Sequence, residues 1–195
     1  MRRDLTLFVM ILVLLAICSL PVGGEEKQKG ELKPALLVMD VQNIWLPMMD
    51  EENRAAAQNN INEVIALFRE HNQPVVRVYH SEPGYGPEQG TKEFEFPDTI
   101  GIRDDDLMIV KNHASAFTKT DLEKILREKE RNTLFICGLS ATGCALATYY
   151  GGLEREFTTV MVEGALLSQK TSYTRVVEDF CRSVTIEEAK EALSP

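Results

Sequence analysis

From residue 32 onward, short apolar runs alternate with segments whose apolar residues recur at helical spacing. The runs lie at 35–39, 75–79, 107–110, 134–137, 158–162 and, shorter, 184–186. Most are continuously apolar, the pattern of strands buried on both faces rather than on one. Between the first two runs, 52–70 places Ile61, Val64, Ile65 and Phe68 at i, i+3, i+4 and i+7, which predicts one amphipathic helix. A second helix carries Leu122, Ile125 and Leu126, with Thr120 or Asp121 as its cap. A third is expected to start at Cys144, a fourth near Ser172, and a fifth covers 187–193. Strands alternating with helices predict an α/β domain of three layers, α/β/α, around a largely parallel six-stranded sheet.

One stretch breaks the rhythm. Residues 81–106 contain Pro83, Gly84, Gly86, Pro87, Gly90 and Pro97 and show no helical period. So long a connection in a compact domain is commonly functional, and it is expected to border or cover the site.

The N-terminus has a different composition. Arg2 and Arg3 precede an apolar run over 5–20, followed by Pro21, Val22, Gly23 and Gly24 and then a polar segment. This is the order of a signal peptide, with cleavage near Gly24. The chain therefore divides into a signal peptide or N-terminal anchor at 1–24 and a single folded domain at 25–195. Cys18 within the run offers lipidation as an alternative, and the run is nearly long enough for an uncleaved anchor. In each case the folded domain is expected to be exported, to the periplasm or the medium, with any membrane contact made only through this segment.

The chain has 195 residues, enough for one domain with a continuous core. Its formal net charge of -9 argues against nucleic acid as a partner and is otherwise the mark of a soluble surface. Of four cysteines, Cys137, Cys144 and Cys181 lie outside the signal. An odd number at irregular spacing is neither a disulfide framework nor a metal-binding pattern. A free thiol in an exported protein needs a reason, and catalysis is one.

In open parallel sheets, ligands bind beyond the carboxyl ends of the strands. Asp40, His80 and Lys111 each follow an apolar run directly, and Cys144 lies past the fourth run and a loop of small residues. A thiol at a helix N-terminus is drawn toward thiolate by the dipole, and small residues let backbone N–H groups approach an oxyanion. By position alone, an inert buried Cys144 and a structural Asp40–Lys111 pair remain open.

Three segments resemble the isochorismatase-like cysteine hydrolases, a family that includes nicotinamidases and N-carbamoylsarcosine amidase. They are Leu-Leu-Val-Met-Asp40-Val-Gln42-Asn43, Ile-Val-Lys111-Asn-His113-Ala-Ser-Ala-Phe117 and Cys137-Gly-Leu-Ser-Ala-Thr-Gly-Cys144-Ala. The resemblance implies a triad of Asp40 as general base, Cys144 as nucleophile and Lys111 as its charge partner. It implies hydrolysis of a small amide or ureide through a thioester on Cys144 and, with the departures below, no metal and no cofactor. It further implies a cis peptide between Leu139 and Ser140, an oxyanion hole of the Ser140 and Cys144 N–H groups, and a homo-oligomer. Gln42, Trp45, His80 and Phe117 are candidates for the substrate pocket; His113 is ambiguous, and Tyr149, Cys137 and Cys181 are read as structural.

Two departures bear on the chemistry. Ala141 stands where the family commonly has Thr, with Thr142 as a possible substitute. The positions matching the nicotinamidase metal ligands read Val78, His80 and Gly86, only one of them a ligand type. Isochorismatase proper cleaves a vinyl ether and needs no cysteine, so Cys144 argues against that reaction. A thiol redox or sensing protein, or a catalytically silent binding domain on the same fold, are the alternatives.

Overall fold

The computed structural model describes residues 31–82 and 84–194. The expected signal or anchor at 1–24 lies outside the described residues. Six parallel strands form one sheet: β1 (Pro34–Met39), β2 (Val75–His80), β3 (Leu107–Lys111), β4 (Thr133–Leu139), β5 (Thr158–Leu167) and β6 (Ser183–Val184). Their order is β3-β2-β1-β4-β5-β6. The expected three-layer α/β/α fold is therefore the observed one.

The layers follow from the twofold alternation of side chains along each strand. In β1, Leu36 and Val38 enter one core, while Ala35, Leu37 and Met39 enter the other. Helix α1 (Glu51–Glu70) covers the first face with Ile61, Val64, Ile65 and Phe68, joined by Ala189 of α5 (Ile186–Leu193). The second face is covered by α2 (Leu122–Glu128), α3 (Leu146–Leu153) and α4 (Thr171–Phe180), through Leu122, Leu126, Tyr149 and Val177. Asp50 caps α1 by accepting from the Glu52 N–H, and Thr185 and Glu188 close a reciprocal capping box on α5. At α2 the Thr120 hydroxyl accepts from the Leu122 N–H, while Asp121 makes no capping bond.

Three expected boundaries are corrected. β5 runs to Leu167 rather than ending at residue 162, because Gly164 (φ +71°) lets the chain bulge where Glu163 interrupts the apolar pattern and then rejoin β4. The last strand is Ser183–Val184, and Ile186 already belongs to α5. The third helix does not start at Cys144. Residues Ala141–Ala145 form a π-helical turn, kinked at Gly143, and the α-helix begins at Leu146.

The long segment 81–106 has no regular element but is not loose. Phe94, Phe96 and Ile100 are buried in the α1-side core, and Tyr79 stacks on Phe94 with centroids 4.7 Å apart. Backbone bonds from Asn43 N to Glu95 O and from Ile44 N to Glu93 O tie it to the chain after β1.

Candidate active site

β1 neighbours both β2 and β4: the chain runs outward from β1 through β2 to β3, then crosses back to β4 and runs outward the other way. Such a switch point opens a crevice at the carboxyl ends of the strands. Asp40 stands there after β1, in a left-handed conformation (φ +50°) that Asp tolerates better than most residues. Its carboxylate is buried. Across the switch point, β4 leads through Ser140 into the π-helical turn that carries Cys144. The Ser140 carbonyl accepts from both Gly143 N and Ala145 N, which fixes that turn. The Leu139–Ser140 peptide is cis, at the bond where the resemblance placed it.

Lys111 ends β3, two strands away from β1. The first and third strands are therefore not adjacent. β2 intervenes, and the four-carbon stem of Lys111 crosses its end. The buried ammonium makes three hydrogen bonds: to Asp40 Oδ2 at 2.8 Å, His80 Nδ1 at 3.1 Å and Cys144 Sγ at 3.2 Å. Its three N–H donors are thereby all used. Asp40 Oδ1 has no hydrogen-bond partner from a nitrogen or oxygen donor, and the Cys144 sulfur lies within 4.8 Å of an Asp40 carboxylate oxygen.

The electrostatics correct the expectation of a resting thiolate. Burial, reinforced by the neighbouring Asp40 charge, pushes the Cys144 thiol up to about 12, against the pull of Lys111. The turn places Cys144 ahead of α3, where the dipole does not outweigh desolvation. Burial also raises Asp40, with the Lys111 ammonium opposing it. His80 is lowered, by burial first and Lys111 second, so its ring is neutral. With Nδ1 accepting from Lys111, its proton sits on Nε2, 3.9 Å from Glu82.

A cavity of about 220 Å³ opens beside these groups. Trp45, Met49 and Leu139 form its apolar wall, with Asp40, His80, Ser140 and Cys144 supplying the polar part. Trp45 meets His80 edge-on, centroids 6.0 Å apart. Two expected pocket residues lie elsewhere. Gln42 is fully buried and clamps the His80 backbone, accepting from its N–H at 2.8 Å and donating to its carbonyl at 3.0 Å. Phe117 stacks on Phe157 in the α2–α4 core, because the chain after β3 turns onto that face. Nor does segment 81–106 border the cavity: among the described residues, none of its side chains lines it.

Met49 and Leu139 were missed in the sequence. The apolar run of the fourth strand ends at residue 137 and leaves Leu139 in the loop of small residues, whereas it is the last residue of β4, and Met49 follows a single 3-10 turn at Leu46–Met48 that has no periodic signal. Of the remaining residues, Thr142 is exposed and Tyr149 is buried with its hydroxyl accepting from Arg182 N. His113 keeps a buried, unpartnered Nε2. Cys137 and Cys181 are buried in different cores, on opposite faces of the sheet.

Asp40, His80 and Cys144 are close enough together to suggest a metal site. The donor set does not fit one, since the Lys111 ammonium already occupies bonding distance from all three. Val78 is a buried apolar residue of β2 and Gly86 has no side chain.

Residues 34–193 match the isochorismatase domain. The chain belongs to the isochorismatase family. It is similar to the isochorismatase family protein YddQ of Bacillus subtilis, at 30% identity over 141 residues, covering 67% of this chain and 76% of the relative. The secreted isochorismatase effector Isc1 of Verticillium dahliae is 27% identical over 134 residues, covering 67% of this chain and 70% of that protein. Among solved structures, N-carbamoylsarcosine amidase from Thermoplasma acidophilum superposes with a TM-score of 0.66 at 27% identity, over 79% of this chain and 95% of the amidase. The protein is thus an isochorismatase-family hydrolase. Among the described residues no helix is long and apolar enough to cross a membrane.

Proposed function

We propose that this hydrolase cleaves the C–N bond of a small amide or ureide through a thioester on Cys144. One observation carries the reading: a single buried ammonium holds a carboxylate and a thiol together at the floor of a cavity. Because the resting thiol is neutral, attack requires a base in place, and Asp40 Oδ1 is the unpartnered acceptor. Asp40 takes the thiol proton as Sγ bonds to the carbonyl carbon. The N–H groups of Ser140 and Cys144 receive the oxyanion. On collapse the C–N bond breaks and Asp40 returns the proton to the leaving nitrogen. Water, deprotonated by Asp40, then attacks the thioester, releasing the acid and restoring the thiol. Lys111 keeps Asp40 ionised and offsets the charge on sulfur.

A redox role for Cys144 finds less support, since Cys137, Cys144 and Cys181 are all free thiols and the two others are buried. The test is amine or ammonia release with a panel of small amides and ureides, together with intact-mass trapping of an acyl adduct on Cys144. Asp40→Asn, Lys111→Ala and Cys144→Ala should each lose turnover by about 1000-fold or more. Normal turnover by Asp40→Asn would sink the mechanism. We further propose that the chain is exported, a reading supported by the secreted relative in Verticillium dahliae. Fractionation of the full chain and the N-terminal mass of the mature protein, expected to begin near residue 25, check it.

A further inference from the structure

The chemistry at Cys144 leaves open what surrounds the reacting carbonyl, and the charges around the cavity narrow it. Asp40 and Lys111 cancel one another, and the ammonium has no N–H left for a ligand. His80 is neutral by geometry, because its Nδ1 accepts from that ammonium. Arg54, the next cation along the chain, gives its Nη2 to the carbonyls of Pro47 and Met49, keeps a buried, unpartnered Nε and does not line the cavity. Glu82, beside His80 Nε2, adds negative charge nearby. Among the described residues, a carboxylate bound against Trp45, Met49 and Leu139 would therefore meet no cationic partner. Against that apolar wall such a charge would lose part of its hydration with no cation to offset the loss, which is unfavourable.

Size narrows the class further. The cavity of about 220 Å³ is below the range of drug-sized sites, roughly 300–1,000 Å³. An apolar protein cavity of roughly 150 Å³ holds one benzene, so this one has room for a single ring or a short branched chain plus the amide group.

We infer that the acyl part of the substrate is an uncharged hydrocarbon group of that size, and that the site rejects amides bearing a carboxylate. The choice of an amide as reacting group rests on the thioester reading; the selection by charge and shape does not. Trp45 and Met49 are then specificity-determining, because they supply the wall against which the acyl group packs.

The experiment compares matched pairs on the full chain: benzamide against its para-carboxylate, and isobutyramide against succinamate. Ammonia release is measured with the native protein, and binding of the same four compounds with Cys144→Ala by calorimetry. The uncharged member of each pair should show a kcat/KM at least about tenfold higher, and bind Cys144→Ala tighter in the same order. Equal or better handling of the carboxylates overturns the inference while leaving the thioester mechanism intact. Preferential binding of the uncharged members without turnover of any compound supports the inference and removes the mechanism. Absence of binding by all four overturns the inference. Met49→Lys, which places a cation on the wall, should shift the ratio toward the carboxylates, and an unchanged ratio counts against the assignment of Met49.

Discussion

Lys111 has three N–H donors, and each goes to a different part of the site: the Asp40 carboxylate, the Cys144 thiol and the histidine on the neighbouring strand. Replacing it leaves the Asp40 carboxylate buried without a counter-charge. Lys111→Ala should therefore cost about 3–5 kcal/mol of stability, read from urea denaturation; a loss under about 1 kcal/mol would show that the pair is solvated. The thiol makes a second prediction at this scale. With Cys144 pushed up to about 12, the resting protein holds almost no thiolate at neutral pH. Alkylation by iodoacetamide at pH 8 should be slower than that of an ordinary thiol, which titrates near about 8.5, and should still be rising above pH 9. The neighbouring Asp40 charge raises the thiol, so Asp40→Asn lowers it again and should label faster while turning over less. A labelling plateau below pH 7 would contradict this ordering. Slow labelling consequently does not distinguish a hydrolase from a silent binding domain; the pairing of faster labelling with lost turnover does.

At the scale of elements, the stretch that read as a covering loop is anchored in the core by Phe94, Phe96 and Ile100. Phe94 and Phe96 pack on Tyr79 of β2, and the backbone pairs with residues 43 and 44. Pro and Gly along 81–106 mark the absence of regular structure, but they carry no information about burial. Alternating Phe94 and Phe96 did carry some, since two large aromatics spaced by one residue need a surface to cover. Phe94→Ala should cost about 3–5 kcal/mol in chemical denaturation and leave Cys144 alkylation at its native rate, whereas a mobile cover would show little loss of stability and altered labelling. The π-helical turn is the other element that pattern alone did not reveal. Small residues at 138–143 announced an irregular passage, but the register of a five-residue turn has no side-chain period to show it.

At the scale of the whole molecule, the strand order creates the site. Placing β4 beside β1 requires their backbones to approach closely at Gly138, whose φ of +103° and position 2.3 Å from the Met39 carbonyl, as measured to an added Cβ, leave no room for a side chain. Gly138→Ala should destabilise the fold by more than about 2 kcal/mol, visible as reduced soluble yield and a lowered unfolding midpoint. A native midpoint would mean that the two strands can separate without penalty.

Local pattern determined a good deal about this protein. Continuous apolar runs identified strands buried on both faces, the helical period placed α1, and Asp40, His80 and Lys111 were legible because a charged or polar residue directly after a buried strand must sit at the sheet's edge. Tertiary structure decided the rest. Whether β2 or β4 lies beside β1, that Lys111 reaches over His80, that Gln42 braces a backbone and Phe117 fills the opposite core, and that the thiol is held neutral all depend on which faces and ends meet in space. Periodicity records which side of its own element a residue occupies; it does not record which other element comes to cover that side, and burial, charge pairing and the shape of a cavity are set there.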